Sequence, residues 1–200
     1  MSLLQRFRFQ DPGPLTDGEL ELVSPAERWI DPLLETLRDP RTRDLSPSDS
    51  ALSREQLMRF VREFPLGRQT GEVPAYHFWM RLRPGFGAPA AAEVEIAGGI
   101  GLRAASTENV TRYIGHVGYN VYPPARGHGY AARAVRLLLP FARRLGLTPL
   151  WITCNPENVA SRRTCERAGG TLVETVKLPP DHPLYQKGER AKCRYRFGEQ

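Results

Sequence analysis

Residues 119–134 read Y-N-V-Y-P-P-A-R-G-H-G-Y-A-A-R-A. Val117, Tyr119 and Val121 alternate like a strand, and Pro123-Pro124 ends it, since neither proline has an N–H to give a neighbouring strand. A helical apolar run follows at Ala131, Ala134, Val135, Leu138, Ala142 and Leu145. Between strand and helix lies Arg126-Gly127-His128-Gly129-Tyr130-Ala131. That order predicts an anion site: the first N–H groups of a helix lack partners, the macrodipole is positive there, and glycine admits a phosphate closely. The string is not a P-loop, which needs Gly-Lys-Ser/Thr, and it is not G-x-G-x-x-G. Taken alone it is also compatible with an ordinary strand-to-helix turn.

Outward from the turn, Pro149–Cys154 reads as a buried strand that runs into Asn155-Pro156-Glu157-Asn158-Val159-Ala160-Ser161. A helix over Arg162–Ala168 then stops at Gly169-Gly170. The pattern Arg-x-x-Gly-x-Ala, followed by Asn-x-x-Ser and Glu-x-x-Gly, resembles the GNAT N-acetyltransferase superfamily over residues 113–175. More narrowly it is similar to a group of bacterial GNAT proteins. The resemblance implies an α/β (α+β) GNAT fold: a mixed, mostly antiparallel seven-stranded sheet, splayed between strands four and five and flanked by four helices.

The rest of the chain is compatible with that layout. Residues 1–18 form an N-terminal extension, 19–112 an acceptor-side half and 113–200 an acetyl-CoA-binding half of one domain. Glu19–Val23 is the first core strand. Ser24-Pro25-Ala26-Glu27 and Ser53-Arg54-Glu55-Gln56 are capping boxes that open two helices, the first broken at Asp31-Pro32 and the second stopped by Pro65. Ala75–Leu82 and Glu93–Arg103 are strands joined by a Gly/Pro/Ala loop over Pro84–Ala92. Gly98-Gly99 hints at a bulge, and Tyr113–Val121 is the fourth strand. Pro140 should kink or break the third helix near Arg136–Leu137. Thr171–Leu178 and Ala191–Phe197 complete the sheet.

Composition sets the outer limits. The 200-residue chain has three cysteines, too few for a disulfide framework and without metal-site spacing. No apolar run approaches membrane-spanning length and no leader is legible, so a cytoplasmic protein without membrane contact is expected. Charge is uneven: residues 1–100 carry 12 arginines against 15 acids (net −3), and residues 101–200 carry 16 Lys/Arg against 7 acids (net +9). A basic half beside a phosphate-binding turn suits a polyanionic cofactor. Nucleic acid is the disfavoured alternative, since no helix-turn-helix, RNP or finger pattern is present. A homodimer is compatible with the reading.

The resemblance also implies a chemistry. Acetyl-CoA is the cosubstrate, no metal is required, and a small-molecule or peptide amine attacks the thioester directly. The Gly127, His128, Gly129, Tyr130 and Ala131 backbone meets the pyrophosphate, with Arg126 as charge partner or turn support. Asn120, Val121 and Tyr122 bond the pantetheine, and the Val121 N–H donates to the oxyanion. Asn158, or Asn155 instead, reaches the pantetheine or merely caps its helix.

The acid–base residues depart from the family pattern. The tyrosine that many GNAT proteins place on helix four is Cys165 here, and strand four carries no carboxylate. It does carry His116 and Tyr119, which strand parity puts on opposite faces; both are candidate catalytic residues. A non-catalytic acyl-CoA-binding or sensory module on the same fold is the alternative.

Overall fold

The computed structural model describes residues 7–42, 52–63, 68–70, 73–83 and 94–198. Strands β1 (Leu20–Val23), β2 (Arg68–Thr70), β3 (Val73–Leu82), β4 (Ile96–Arg103) and β5 (Val117–Val121) form one antiparallel sheet, ordered β1-β3-β4-β5 with β2 also on β3. A second sheet, ordered β6-β8-β7, contains β6 (Leu150–Cys154), β7 (Thr171–Lys177) and β8 (Ala191–Phe197). The helices are α1 (Ile30–Arg38), α2 (Arg54–Glu63), α3 (Tyr130–Arg144), α4 (Val159–Arg167) and the single turn α5 (Pro183–Gln186).

Strand β3 is buried on both faces because helices cover both. Tyr76, Phe78 and Met80 point into a core that includes Tyr130, Val135, Leu138 and Phe141 of α3. Tyr76 meets Phe141 edge-on with ring centroids 4.9 Å apart. On the other face Trp79 joins Ile30 and Leu33 of α1 and Leu57 of α2. Each large apolar side chain buried this way contributes about 1.5–3 kcal/mol of transfer free energy. Phe7 and Phe9 pack edge-on against Tyr76, so the described part of the N-terminal extension closes the α3 face.

The two sheets part between β5 and β6, as expected for a splayed sheet. Details differ from the sequence reading. There are eight described strands, the additional one being the short β2, whose Arg68-Gln69-Thr70 carries no apolar alternation to announce it. The Ser53–Gln56 capping box forms reciprocally: Gln56 N–H donates to Ser53 Oγ (3.2 Å) and Ser53 N–H donates to Gln56 Oε1 (2.7 Å).

The Ser24–Glu27 box does not form. A 3₁₀ turn over Glu27–Trp29 precedes α1, and Asp31-Pro32 sits in its first turn, where the missing N–H costs nothing. Helix α3 runs unbroken through Pro140. Both Pro140 and Arg136, whose carbonyl loses its partner, face solvent. The bulge lies beside the expected pair and not in it: Gly98 and Gly99 pair regularly with Met80 and Trp79, and the β3–β4 register shifts between Met80 and Arg81 with Ala97 as the extra residue. A Cβ on Gly98 would lie 2.1 Å from the Asn120 carbonyl oxygen. The predicted Pro84–Ala92 loop and the stop at Pro65 fall outside the described residues.

Candidate active site

The glycine turn forms as its composition dictates. After β5, a 3₁₀ turn over Pro123–Ala125 leads through Gly127 (φ 87°) to Gly129 (φ 76°), which caps α3. Such φ values are natural for glycine and costly for residues with a Cβ. Gly129 has no side chain to cap the helix, and the first turn of α3 contains no acid. The first main-chain bond into the turn comes from Arg133 N–H to Gly129 O, so the amides before it face outward with the positive end of the helix behind them. Arg126 donates from Nε to Val121 O (3.0 Å), which ties the turn to β5. Tyr130 is buried, its hydroxyl donates to Glu19 Oε1, and His128 stacks on its ring.

Beside this turn the free edge of β5 faces β6. Tyr122 N–H donates to Ala97 O on β4 (2.8 Å). Antiparallel alternation therefore turns the Val121 N–H away from β4, towards the gap. Asn120 is exposed and its Oδ1 accepts from Gly99 N–H (3.2 Å).

His116 closes the base of the gap. Its N–H donates to Trp151 O (2.6 Å), and its Nδ1 accepts from Trp151 N–H (2.9 Å). The remaining ring proton is therefore on Nε2, which donates to Ser106 Oγ (3.1 Å). The side chain is fully buried. Burial above all, with the nearby Arg103 charge, lowers its pKa to about 4. Both ring nitrogens are occupied, Nδ1 by Trp151 of β6 and Nε2 by Ser106, and neither is presented to a substrate.

This makes a pH prediction. The unfolded chain protonates histidine near 6.5 and the native chain near 4, so between those values the unfolded state binds more protons. Stability should be fully present above about pH 6.5 and fall by up to about 3 kcal/mol as pH drops through that window. A proton-detected ring titration should show His116 neutral at pH 5.5; a midpoint near 6.5 would contradict the assignment.

Tyr119 points the other way, across the gap to α4. Its hydroxyl lies 2.9 Å from Ser161 Oγ, 3.2 Å from Ser161 O, to which it can donate, and 3.7 Å from Cys165 Sγ. Burial, then the neighbouring Cys165, pushes its pKa well above the usual phenol value, so it stays a neutral donor. The buried Cys154 completes the cluster. The Cys165 thiol bonds to it and draws its pKa below the ordinary thiol range, whereas that of Cys165 rises. The two side chains part as expected, although the strand begins only at Val117, after a helical turn over Val110–Ile114, and the structure brings only Tyr119 towards the helix that carries Cys165.

The two asparagines have other partners. Asn158 caps α4, its Oδ1 accepting from Ser161 N–H (2.9 Å). Asn155 does not cap it: its Oδ1 accepts from Lys192 Nζ (2.7 Å).

On the opposite face of the first sheet is an open cleft of about 680 Å³. Gly99, Gly101 and Gly118 floor it, Phe60 and Trp79 wall it, and His77 and Arg103 line one end. No carboxylate among the described residues lines it. The sequence offered no signal for this cleft, because its glycines come from two strands and meet only through register: Gly99 opposite Asn120, Gly101 opposite Gly118. Ser161 was visible as part of a motif, but its contact with Tyr119 was not.

A family model described as an acetyltransferase (GNAT) domain matches residues 19–171. No curated protein sequence matches the chain. Among solved structures, the fold is similar to that of the microcin self-immunity acetyltransferase MccE in complex with acetyl-CoA and AMP (14% identity, TM-score 0.61, covering 92% of this chain and 94% of that one). It is also similar to a GNAT-family acetyltransferase from Bacillus anthracis (19%, 0.58, 92% and 97%). A third similar structure is the ribosomal-protein acetyltransferase RimL in complex with coenzyme A (16%, 0.56, 92% and 97%). At these identities the likeness is one of fold. No helix among the described residues is long and apolar enough to cross a membrane.

Proposed function

This chain belongs to the GNAT acetyltransferase family, and from that premise we propose that it moves the acetyl group of acetyl-CoA to an amine of a small molecule or peptide, by direct attack in a ternary complex. The observation that carries the reading is the uncapped α3 N-terminus behind Gly129, set beside the free edge of β5. Residues 113–200 hold the cofactor and residues 19–112 shape the acceptor side.

In this reading the pyrophosphate takes the outward amides of Gly127–Ala131, with Arg126 adding charge from the nitrogens not used on Val121 O. The pantetheine lies along Asn120–Tyr122 in the gap. Val121 N–H donates to the acetyl oxygen and binds it more strongly as it becomes an oxyanion. The amine forms the new N–C bond, and the C–S bond then breaks with its electron pair leaving on sulfur. Tyr119 passes its proton to that thiolate while Ser161, half-buried in the first turn of α4, relays one back from solvent, so the buried phenol is restored in the same step. The phenol comes from β5 rather than from the helix position that Cys165 occupies. The attacking amine loses its proton to water in the open cleft, where the described residues supply no carboxylate. His116 keeps the gap in register.

The lack of a carboxylate among the described cleft residues and the cysteine at position 165 also fit a non-catalytic acyl-CoA-binding module. Amine-dependent thiol release separates the two. A transferase consumes acetyl-CoA faster than its background hydrolysis when given a panel of primary amines. Tight acetyl-CoA binding with no amine-dependent release would favour the module.

A further inference from the structure

The end of the cleft away from the gap contains a cation whose charge the described residues leave unanswered. Arg103 ends β4, and its Nη1 donates to the carbonyls of Ile114 (3.3 Å) and Gly115 (3.0 Å). Those are neutral acceptors. Three other half-buried arginines do meet carboxylates: Arg81 pairs with Glu21 and Glu95, Arg133 with Asp17 and Glu19, and Arg194 with Glu174. Among the described residues Arg103 has no such pair, although it is partly buried and burial disfavours its charged form. Guanidinium has five N–H donors in a fixed fork, and a carboxylate takes two of them side by side.

The surroundings leave room for that partner. Nη1 and Nη2 lie 3.8 and 3.9 Å from where a Gly118 Cβ would stand, so the guanidinium spreads over a bare stretch of sheet. His77 is on the same floor, opposite Gly101 in the β3–β4 register, and Arg103 is opposite the neighbouring Ala75. Diagonal neighbours on one sheet face are within reach of a shared ligand. Towards the gap the next rung is Trp79, Gly99 and Asn120, which offers an apolar wall rather than a charge. Polar anchor, apolar stretch and reacting end therefore succeed one another along β5.

We propose that the acceptor is an amine that also carries an anionic group, a carboxylate, bound by Arg103 over Gly118. The inference rests on the transferase reading above. The distance between the two ends follows from strand geometry. From Gly118 to Asn120 or Val121 is two to three residues, which is about 7–10 Å of strand rise. An ω-amino acid with a chain of several methylenes spans that distance, as does a peptide α-amine followed by an acidic side chain. Glycine is too short.

The test measures kcat/KM for acetyl transfer to a series from glycine through γ-aminobutyrate to 6-aminohexanoate, each against its primary amide. Short peptides with Asp or Glu at the second position, against Asn or Gln, form a second arm. The longer ω-amino acids, or the acidic peptides, should exceed their amides by about 10–100-fold, the range of a charge-assisted contact. Whichever arm shows the preference identifies the source of the anion. Arg103→Met should erase the preference and Arg103→Lys should restore part of it, with acetyl-CoA affinity unchanged in both. A role confined to the Ile114 and Gly115 carbonyls would lower every acceptor alike. Equal turnover of acids and amides by the wild-type protein, or a preference that survives Arg103→Met, overturns the proposal. Should Arg103→Met fail to fold, the wild-type ratio still decides. Thiol release with no amine at all would instead sink the transferase reading, and this inference with it.

Discussion

Tyr119→Phe lowers kcat by about 10²–10⁴-fold, the usual contribution of a positioned proton donor, and leaves acetyl-CoA affinity close to that of the wild type. The variant keeps the ring that packs against the core and removes only the hydroxyl that lies 2.9 Å from Ser161 Oγ and 3.7 Å from Cys165 Sγ. A thiolate leaving into the gap without that proton must take one from water, which the buried cluster admits poorly. Because burial raises its pKa, Tyr119 is a donor throughout the neutral range, and the pH profile should show no loss of activity from its ionisation. Cys165→Ser stays near wild type, since a hydroxyl can take over the thiol's contacts with the phenol and with Cys154. His116→Ala should act on stability instead, through the bonds to Trp151. Stopped assays of thiol release under saturating acetyl-CoA measure the effect. A Tyr119→Phe enzyme within about threefold of wild type would remove the phenol from the mechanism and leave catalysis to positioning and the oxyanion donor.

The parts of this account that were legible in the sequence are those with local causes. The strand before Pro123, the turn through Gly127 and Gly129, and the helix after it depend on backbone geometry that only a few residue types tolerate, so six residues announced them. The splay between β5 and β6 followed from resemblance and agrees with the two sheets observed. What was not legible depends on contacts between distant segments. His116 is an ordinary candidate base in the sequence. Only the approach of Trp151, 35 residues away, and of Ser106 shows both nitrogens to be occupied. Asn155 reads as a cap until Lys192 arrives from β8. Arg103 carries no local signal, because its significance is the lack of a carboxylate among the described residues around a cleft built by register. Pro140 does not break α3, because the Arg136 carbonyl it leaves without a partner faces water and the buried Leu138, Phe141 and Ala142 hold the helix against the core.

The second large effect concerns the cofactor. Gly129→Val should abolish acetyl-CoA binding. No protein atom lies within 4 Å of an added Cβ, so the substitution does not disturb packing. A β-branched residue instead disfavours φ 76° strongly, and relaxing it rotates the amides that should face the phosphates. Loss of two charge-assisted hydrogen bonds at about 1.5–3 kcal/mol each weakens binding roughly 10²–10⁴-fold. Gly146 is the matched control. It has φ 77°, again with open space at its Cβ position, but it follows the far end of α3. Gly146→Val carries similar backbone strain and should leave the cofactor site alone.

Calorimetric titration of acetyl-CoA into the wild-type protein, Gly129→Val and Gly146→Val therefore tests the central claim, that the cofactor's phosphates sit on the amides at the start of α3. The account predicts saturable one-site binding to the wild type and to Gly146→Val, and no measurable binding to a folded Gly129→Val. Equal binding to all three would place the phosphates elsewhere and contradict it.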